Sequence, residues 1–159
     1  MKSRHNRLWI VRVKITAFDL YGKILDVWKS ENLLMNVGLN MVRDGLKDAA
    51  FDTKIKFLAW GSGNTAPAVG QTQLVSETDR QGLTSWTAGG VGELITVVYI
   101  NPATAVAPPN IEELGWFAGV GAVDAPNAGI MVGRILYSRA KTNLESLQIE
   151  RTDTISEVI

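Results

Sequence analysis

Residues 8–18 read Leu8-Trp9-Ile10-Val11-Arg12-Val13-Lys14-Ile15-Thr16-Ala17-Phe18. Trp9, Val11, Val13, Ile15 and Ala17 fall on every second position, with Arg12, Lys14 and Thr16 between them, which is the period of a half-buried strand. Asp19-Leu20-Tyr21-Gly22 then supplies turn chemistry, and residues 23–28 return as a second strand. The spacing predicts an N-terminal hairpin over about 8–28.

Beyond Asn32 the period lengthens. Leu39, Val42 and Leu46 recur at i, i+3 and i+7, with Asn36 available as an N-cap, which predicts a helix over about 36–48. Gly38 and Gly45 weaken it by ~1 kcal/mol each relative to Ala, so packing against a sheet must hold it. From 54 onward the text returns to strands at 55–60, 94–100, 111–118, 130–138 and 144–155. They are separated by stretches rich in Gly, Pro, Ala and Asn. Seven strands and one helix predict a mainly β single domain over 1–159, a β-sandwich or barrel-like fold with one packed α-helix.

Composition narrows the chemistry. At 159 residues the chain is long enough to bury a real core without staples. Cysteine is absent and His5 is the single histidine, so thiolate chemistry and nitrogen-rich metal sites have no ligands, and no cofactor or metal is expected. Sixteen basic and sixteen acidic residues cancel, unlike a domain built to coat nucleic acid. No apolar run approaches the ~20 residues of a spanning helix, and Arg12 and Lys14 interrupt the one stretch that mimics a signal peptide. Synthesis in the cytoplasm of the host cell is the expectation.

Charge is nevertheless uneven. Lys2, Arg4, Arg7, Arg12 and Lys14 open the chain without an acid, whereas Glu145, Glu150, Asp153 and Glu157 dominate its end. Either these are solvated termini and a basic strand face, or a basic arm docks on an acidic neighbour.

Four groups of residues invite chemistry. Gly61-Ser62-Gly63-Asn64-Thr65 could cradle an anion on backbone N–H groups, but it lacks the ending of a P-loop, and glycines reaching positive φ explain it better. Glu112 and Glu113 are adjacent carboxylates, yet neighbours on a strand point to opposite faces, so they cannot flank one substrate; Glu112 reads as solvated and Glu113 as structural. A Ser/His/Asp triad would need His5, in a basic arm that is a poor platform, so no catalytic residue is named. Of five tryptophans, Trp9, Trp28, Trp60 and Trp116 sit in strands beside aliphatic residues, as core anchors do. Trp86, in the loop-like Ser85-Trp86-Thr87-Ala88-Gly89-Gly90, is the candidate for contact with a partner.

The order Gly38, helix, Gly61-Ser62-Gly63-Asn64-Thr65-Ala66-Pro67, Thr72-Gln73-Leu74, Glu77-Thr78-Asp79-Arg80 and Glu113-Leu114-Gly115-Trp116-Phe117 resembles the small structural proteins of tailed bacteriophages. In particular it is similar to the tail-collar fibre module and its stand-alone relatives, over roughly 32–147. The resemblance implies a virion protein without enzymatic activity. It also implies acidic and basic groups at Glu77, Arg80 and Glu113, from which a partly buried pair of Arg80 with Glu113 or Glu77 is expected.

No fibre shaft, repeat or receptor domain follows, which favours a head decoration or cement protein bridging capsid subunits over a tail-collar or tail-fibre anchor. The implied partners are the major capsid protein, or else tail proteins, and further copies of the chain. A homotrimer is expected through the apolar loops 101–109 and 118–126, with no membrane and no specific nucleic acid. The competing class is a carbohydrate-binding module, for which Trp86 is the one credible platform residue.

Overall fold

The computed structural model describes residues 9–104, 106 and 110–156. Among the described residues, ten strands and one helix run in the order β1 (Trp9–Asp19), β2 (Ile24–Glu31), β3 (Leu33–Leu34), α1 (Asn36–Lys47), β4 (Ile55–Gly61), β5 (Glu77–Gly82), β6 (Ser85–Ala88), β7 (Glu93–Ile100), β8 (Asn110–Ala118), β9 (Ile130–Ala140) and β10 (Glu145–Ile155). They form two five-stranded antiparallel sheets, β2-β1-β10-β7-β6 and β3-β9-β8-β4-β5. The mainly β sandwich with one helix expected from the sequence is the fold observed. Among the described residues no helix is long and apolar enough to cross a membrane.

Alternation in β1 does what its period requires. Val11, Val13, Ile15 and Ala17 are buried and Arg12 and Lys14 exposed. Val13, Ile15, Val98, Ile100, Leu147 and Ile149 of the first sheet belong to one core with Leu58, Trp60, Leu114, Trp116, Val132 and Ile135 of the second. Burial of that apolar area is the main favourable term for the fold. Trp60 and Trp116 are wholly inside and Trp9 and Trp28 pack at its margin, as anchors.

The second sheet is covered on its other face as well. Met35, Ala59, Leu74, Phe117, Ala122 and Met131 make a smaller core there, roofed by the segments 62–76 and 119–129. Three strands were not expected: β3, β5 and β6. Glu77–Gly82 is polar throughout and has no apolar period, yet it pairs with β4 as an edge strand. Ser85–Ala88, read as a loop, pairs with β7 as the edge of the first sheet.

The helix lies against β9, but with a different face inward. Gly38 and Met41 are buried, whereas Leu39 is about half exposed and Leu46 is 87% exposed. A Cβ on Gly38 would stand 2.9 Å from both the Cα and the carbonyl oxygen of Val132, so this glycine is the contact that lets helix and strand backbones meet. Asn36 does not cap the helix. Met35 occupies the N-cap without a side-chain bond, and the Asn36 N–H donates to Val69 O at 2.8 Å.

Part of the uneven charge is paired among the described residues. Strands β1 and β10 are neighbours, with Lys14 directly opposite Glu150. Glu145 binds Arg139 and Asp153 binds Arg151, so these two acids supply partners within the fold; Glu157 lies outside the described residues. Arg139 also reaches Asp26 of β2 at 3.3 Å, and Trp28 and Tyr137 meet in a tilted contact with ring centroids 5.1 Å apart and planes at 60°.

Burial raises the Tyr137 phenol above its ordinary value of 10.0. The unfolded chain releases that proton near 10.0 while the folded chain retains it. The resulting stabilisation is complete below pH 10 and is lost as pH rises through the folded value. Urea midpoints should therefore fall more steeply above pH 10 in the parent protein than in Tyr137→Phe. Parallel curves would contradict the assignment.

Candidate interaction site

Two carboxylate–arginine pairs hold the roof of the second sheet. Glu113, on β8, is 0% exposed, and so is Arg134 on the adjacent β9. Arg134 Nε donates to Glu113 Oε2 at 2.7 Å. The remaining lone pairs of Glu113 accept the backbone N–H groups of Gly63 (3.1 Å), Val75 (3.1 Å) and Ser76 (2.7 Å). Arg134 Nη1 donates onward to Thr65 O at 3.0 Å and Gln71 Oε1 at 3.2 Å. Segment 62–76 is thus a closed loop, its ends joined by Ser62 N–H to Ser76 O at 3.0 Å, with a buried ion pair at its centre.

The glycine-rich turn therefore does present one N–H group, that of Gly63, to an anion, and the anion is the protein's own Glu113. Positive φ is not the reason for these glycines, because neither Gly61 nor Gly63 adopts it. Close approach is: a Cβ on Gly63 would lie 2.5 Å from Glu113 Oε1, and one on Gly61 would collide with Ser76 O.

Arg80 makes the second clamp. Its partner is Glu77, at 2.6 and 2.9 Å in a bidentate fork, and not Glu113, whose carboxylate the 62–76 loop and Arg134 already fill. Arg80 Nη1 also donates to Val123 O (3.0 Å) and Ala128 O (2.8 Å), and Glu77 Oε2 accepts Asn127 N–H at 2.8 Å, which pins the 119–129 loop. The guanidinium lies 4.5 Å from the Phe117 ring centroid, a stacked geometry that lysine cannot reproduce. Of the two apolar loops expected to contact subunits, this one exposes Val120 and Val123; residues 105 and 107–109 of the other lie outside the described residues.

A third buried pair sits between the sheets. Arg151 binds Asp153 at 2.7 and 2.8 Å, and Asp153 accepts Trp9 Nε1 at 2.9 Å. This fixes Trp9 at one end of the sandwich, where it lines an apolar groove of ≈440 Å³ together with Met41, Val42, Leu46, Trp86 and Ile155. Trp86 is 40% exposed. Its Nε1 donates to Ile55 O at 2.7 Å, bridging the two sheets, and the Lys54 ammonium stands 4.0 Å over its ring. An ammonium over the indole occupies a face that a sugar would stack on, so this tryptophan is better placed as a groove wall than as a carbohydrate platform.

The structure therefore separates the sequence-derived candidates into three sets. Arg80 and Glu113 are internal clamps in different pairs, Trp86 is a surface wall, and Lys2, Arg4 and Arg7 lie outside the described residues. Glu112 is partly exposed and accepts the Ser138 hydroxyl at 3.2 Å. Among the described residues no group of three or more His, Cys, Asp or Glu is arranged to hold a metal ion. Sequence reasoning missed Arg134 and the groove residues Leu46 and Ile155. A guanidinium inside Ile130-Met131-Val132-Gly133-Arg134-Ile135-Leu136 was the available signal for the first, since charge within an apolar strand needs a partner. Comparison with known proteins found no family model, no curated protein and no solved structure that matches the chain.

Proposed function

We propose that the protein is a non-enzymatic structural component of a tailed-bacteriophage particle, a decoration protein that bridges neighbouring capsid subunits. One observation carries this reading. The residues on which the resemblance rests are scattered over 80 positions of sequence, from Gly38 to Phe117, and most of them meet on one face of the second sheet. Gly63 donates to Glu113, a Cβ on Gly115 would overlap Leu74, and Arg80 stacks on Phe117. They form a working set that locks two loops onto a sheet, which is the property a rigid building module needs. The buried pairs Arg134–Glu113 and Arg80–Glu77 are engaged in this locking.

Tail-collar or tail-fibre anchoring is the second reading, since the same residue set supports both. Imaging purified particles by electron microscopy separates them. Regularly placed density over the head is the expected result, density confined to the tail moves the protein to the second reading, and its absence from purified particles overturns both. Raised salt should strip part of it from the head through Lys2, Arg4 and Arg7, because exposed ion contacts are screened.

A further inference from the structure

β2 lies at the edge of the first sheet, with β1 as its one strand neighbour among the described residues. Asn32 N–H donates to Val11 O at 2.9 Å, and in the antiparallel register that follows, Ser30 and Trp28 bond to Val13 and Ile15. The backbone N–H and C=O groups of Val27 and Lys29 therefore point away from the sheet. Eight residues make this the longest of the four sheet edges, against six in β5, four in β6 and two in β3. Its one bulge falls at Leu25, which leaves 26–31 regular. The strand is firmly seated, since Arg139 holds Asp26 and Trp28 meets Tyr137 of the second sheet. Such an edge is a template for another strand, with little left to order on pairing.

The same arm carries apolar surface. Leu20, Tyr21, Ile24, Leu25 and Val27, five large apolar side chains within eight residues, are all exposed, and clusters of this kind mark contact surfaces. We infer that β2 pairs antiparallel with β2 of a second copy of this chain, joining two five-stranded sheets across a two-fold axis. An antiparallel edge needs no second surface, because a two-fold turns it into its own complement. Charge fixes the register. Residues facing each other across such an axis share a side of the sheet, so the axis passes through a residue. At Asp26 or Lys29 it would oppose like charges, at Trp28 it would set Leu25 against Glu31, and at Ser30 only 29–31 would overlap. At Val27 it sets Val27 against itself and brings the exposed Lys23 of each copy to the exposed Glu31 of the other, at both ends of the strand. Pairing of this kind needs no phage particle and is expected of the isolated protein.

The test is the mass of the full chain by gel filtration with light scattering. The parent should run as an even multiple of the 17.3 kDa chain, a dimer, or a hexamer where a three-fold contact adds to the two-fold one. Val27→Pro removes an outward N–H without touching a bond to β1, a change that edge strands tolerate, and should halve that mass. Val27→Lys, at a side chain already 43% exposed, should do the same by opposing two ammonium groups on the axis, and it serves where the proline variant does not fold. Lys23→Glu should raise the dissociation constant about tenfold, because both ends of the pair turn repulsive, and Lys23→Glu combined with Glu31→Lys should restore it. A parent that runs as one chain or as three, or folded Val27 variants that assemble like the parent, overturns the proposal. So does a double charge variant that pairs no more tightly than Lys23→Glu alone.

Discussion

Glu113→Ala should destabilise the protein by ~3 to 5 kcal/mol, the cost of leaving a buried guanidinium without its counter-charge. Arg134 is wholly enclosed and has no solvent to turn to, and the same substitution strips acceptors from the N–H groups of Gly63, Val75 and Ser76. An orphaned buried donor costs ~1 to 3 kcal/mol in its own right, although such terms do not add when the loop can open. Opening is the second expected effect: amide exchange in 62–76 should accelerate more than elsewhere. The double change Glu113→Leu, Arg134→Met should cost less than Glu113→Ala, because it removes both charges together. Urea unfolding of singles and double decides this, and a loss below ~1 kcal/mol for Glu113→Ala would show a solvated pair.

Arg80→Ala should be of similar size, ~3 to 5 kcal/mol, for a related reason. Glu77 is buried beneath it, and Val123 O and Ala128 O lose their donor. Here the conservative variant is the more informative. Arg80→Lys keeps the charge but cannot make the bidentate fork to Glu77 while also reaching two carbonyls and stacking on Phe117. It should retain less than half of the contribution, as read from urea midpoints, and exchange at Asn127 should rise in both variants. A lysine variant as stable as the parent would show that charge alone matters at this position.

How much of this was legible in the sequence depends on what each residue faces. The β1 hairpin was readable because Val11, Val13 and Ile15 bury one face while Arg12 and Lys14 leave the other in water, the case in which a two-residue period is clearest. The helix was found, but its buried face only in part: Val42 packs against the core, whereas Leu39 and Leu46 are exposed. Gly38 reads as a weak position, yet it is the point of closest packing, since the side chain it lacks is what Val132 would meet. Strand β5 was hidden because its inward residue is Arg80, and an edge strand whose core contact is a guanidinium shows no apolar alternation.

The acid–base residues were flagged correctly, and of the two partners expected for Arg80 the fold uses Glu77 and not Glu113. Arg80, Glu77 and Glu113 stand close enough in the sequence pattern to suggest one pair, whereas the fold makes two by recruiting Arg134 from a strand that reads as core. Register between β8 and β9, which places Arg134 opposite Gly115 and within reach of Glu113, is a property of the assembled sheet. The groove was legible only through Trp86. Trp9, Leu46 and Ile155 come from three separate elements, and no local pattern announces that they converge.

The proposed reinforcement of a phage head is tested most directly by heating particles assembled with and without the protein and following release of their DNA. A protein that binds the closed shell and not the opened one stabilises the closed state by mass action. Particles lacking it should release DNA at a lower temperature, and adding the purified protein back should restore the parent curve. Identical release curves with and without the protein would contradict the account.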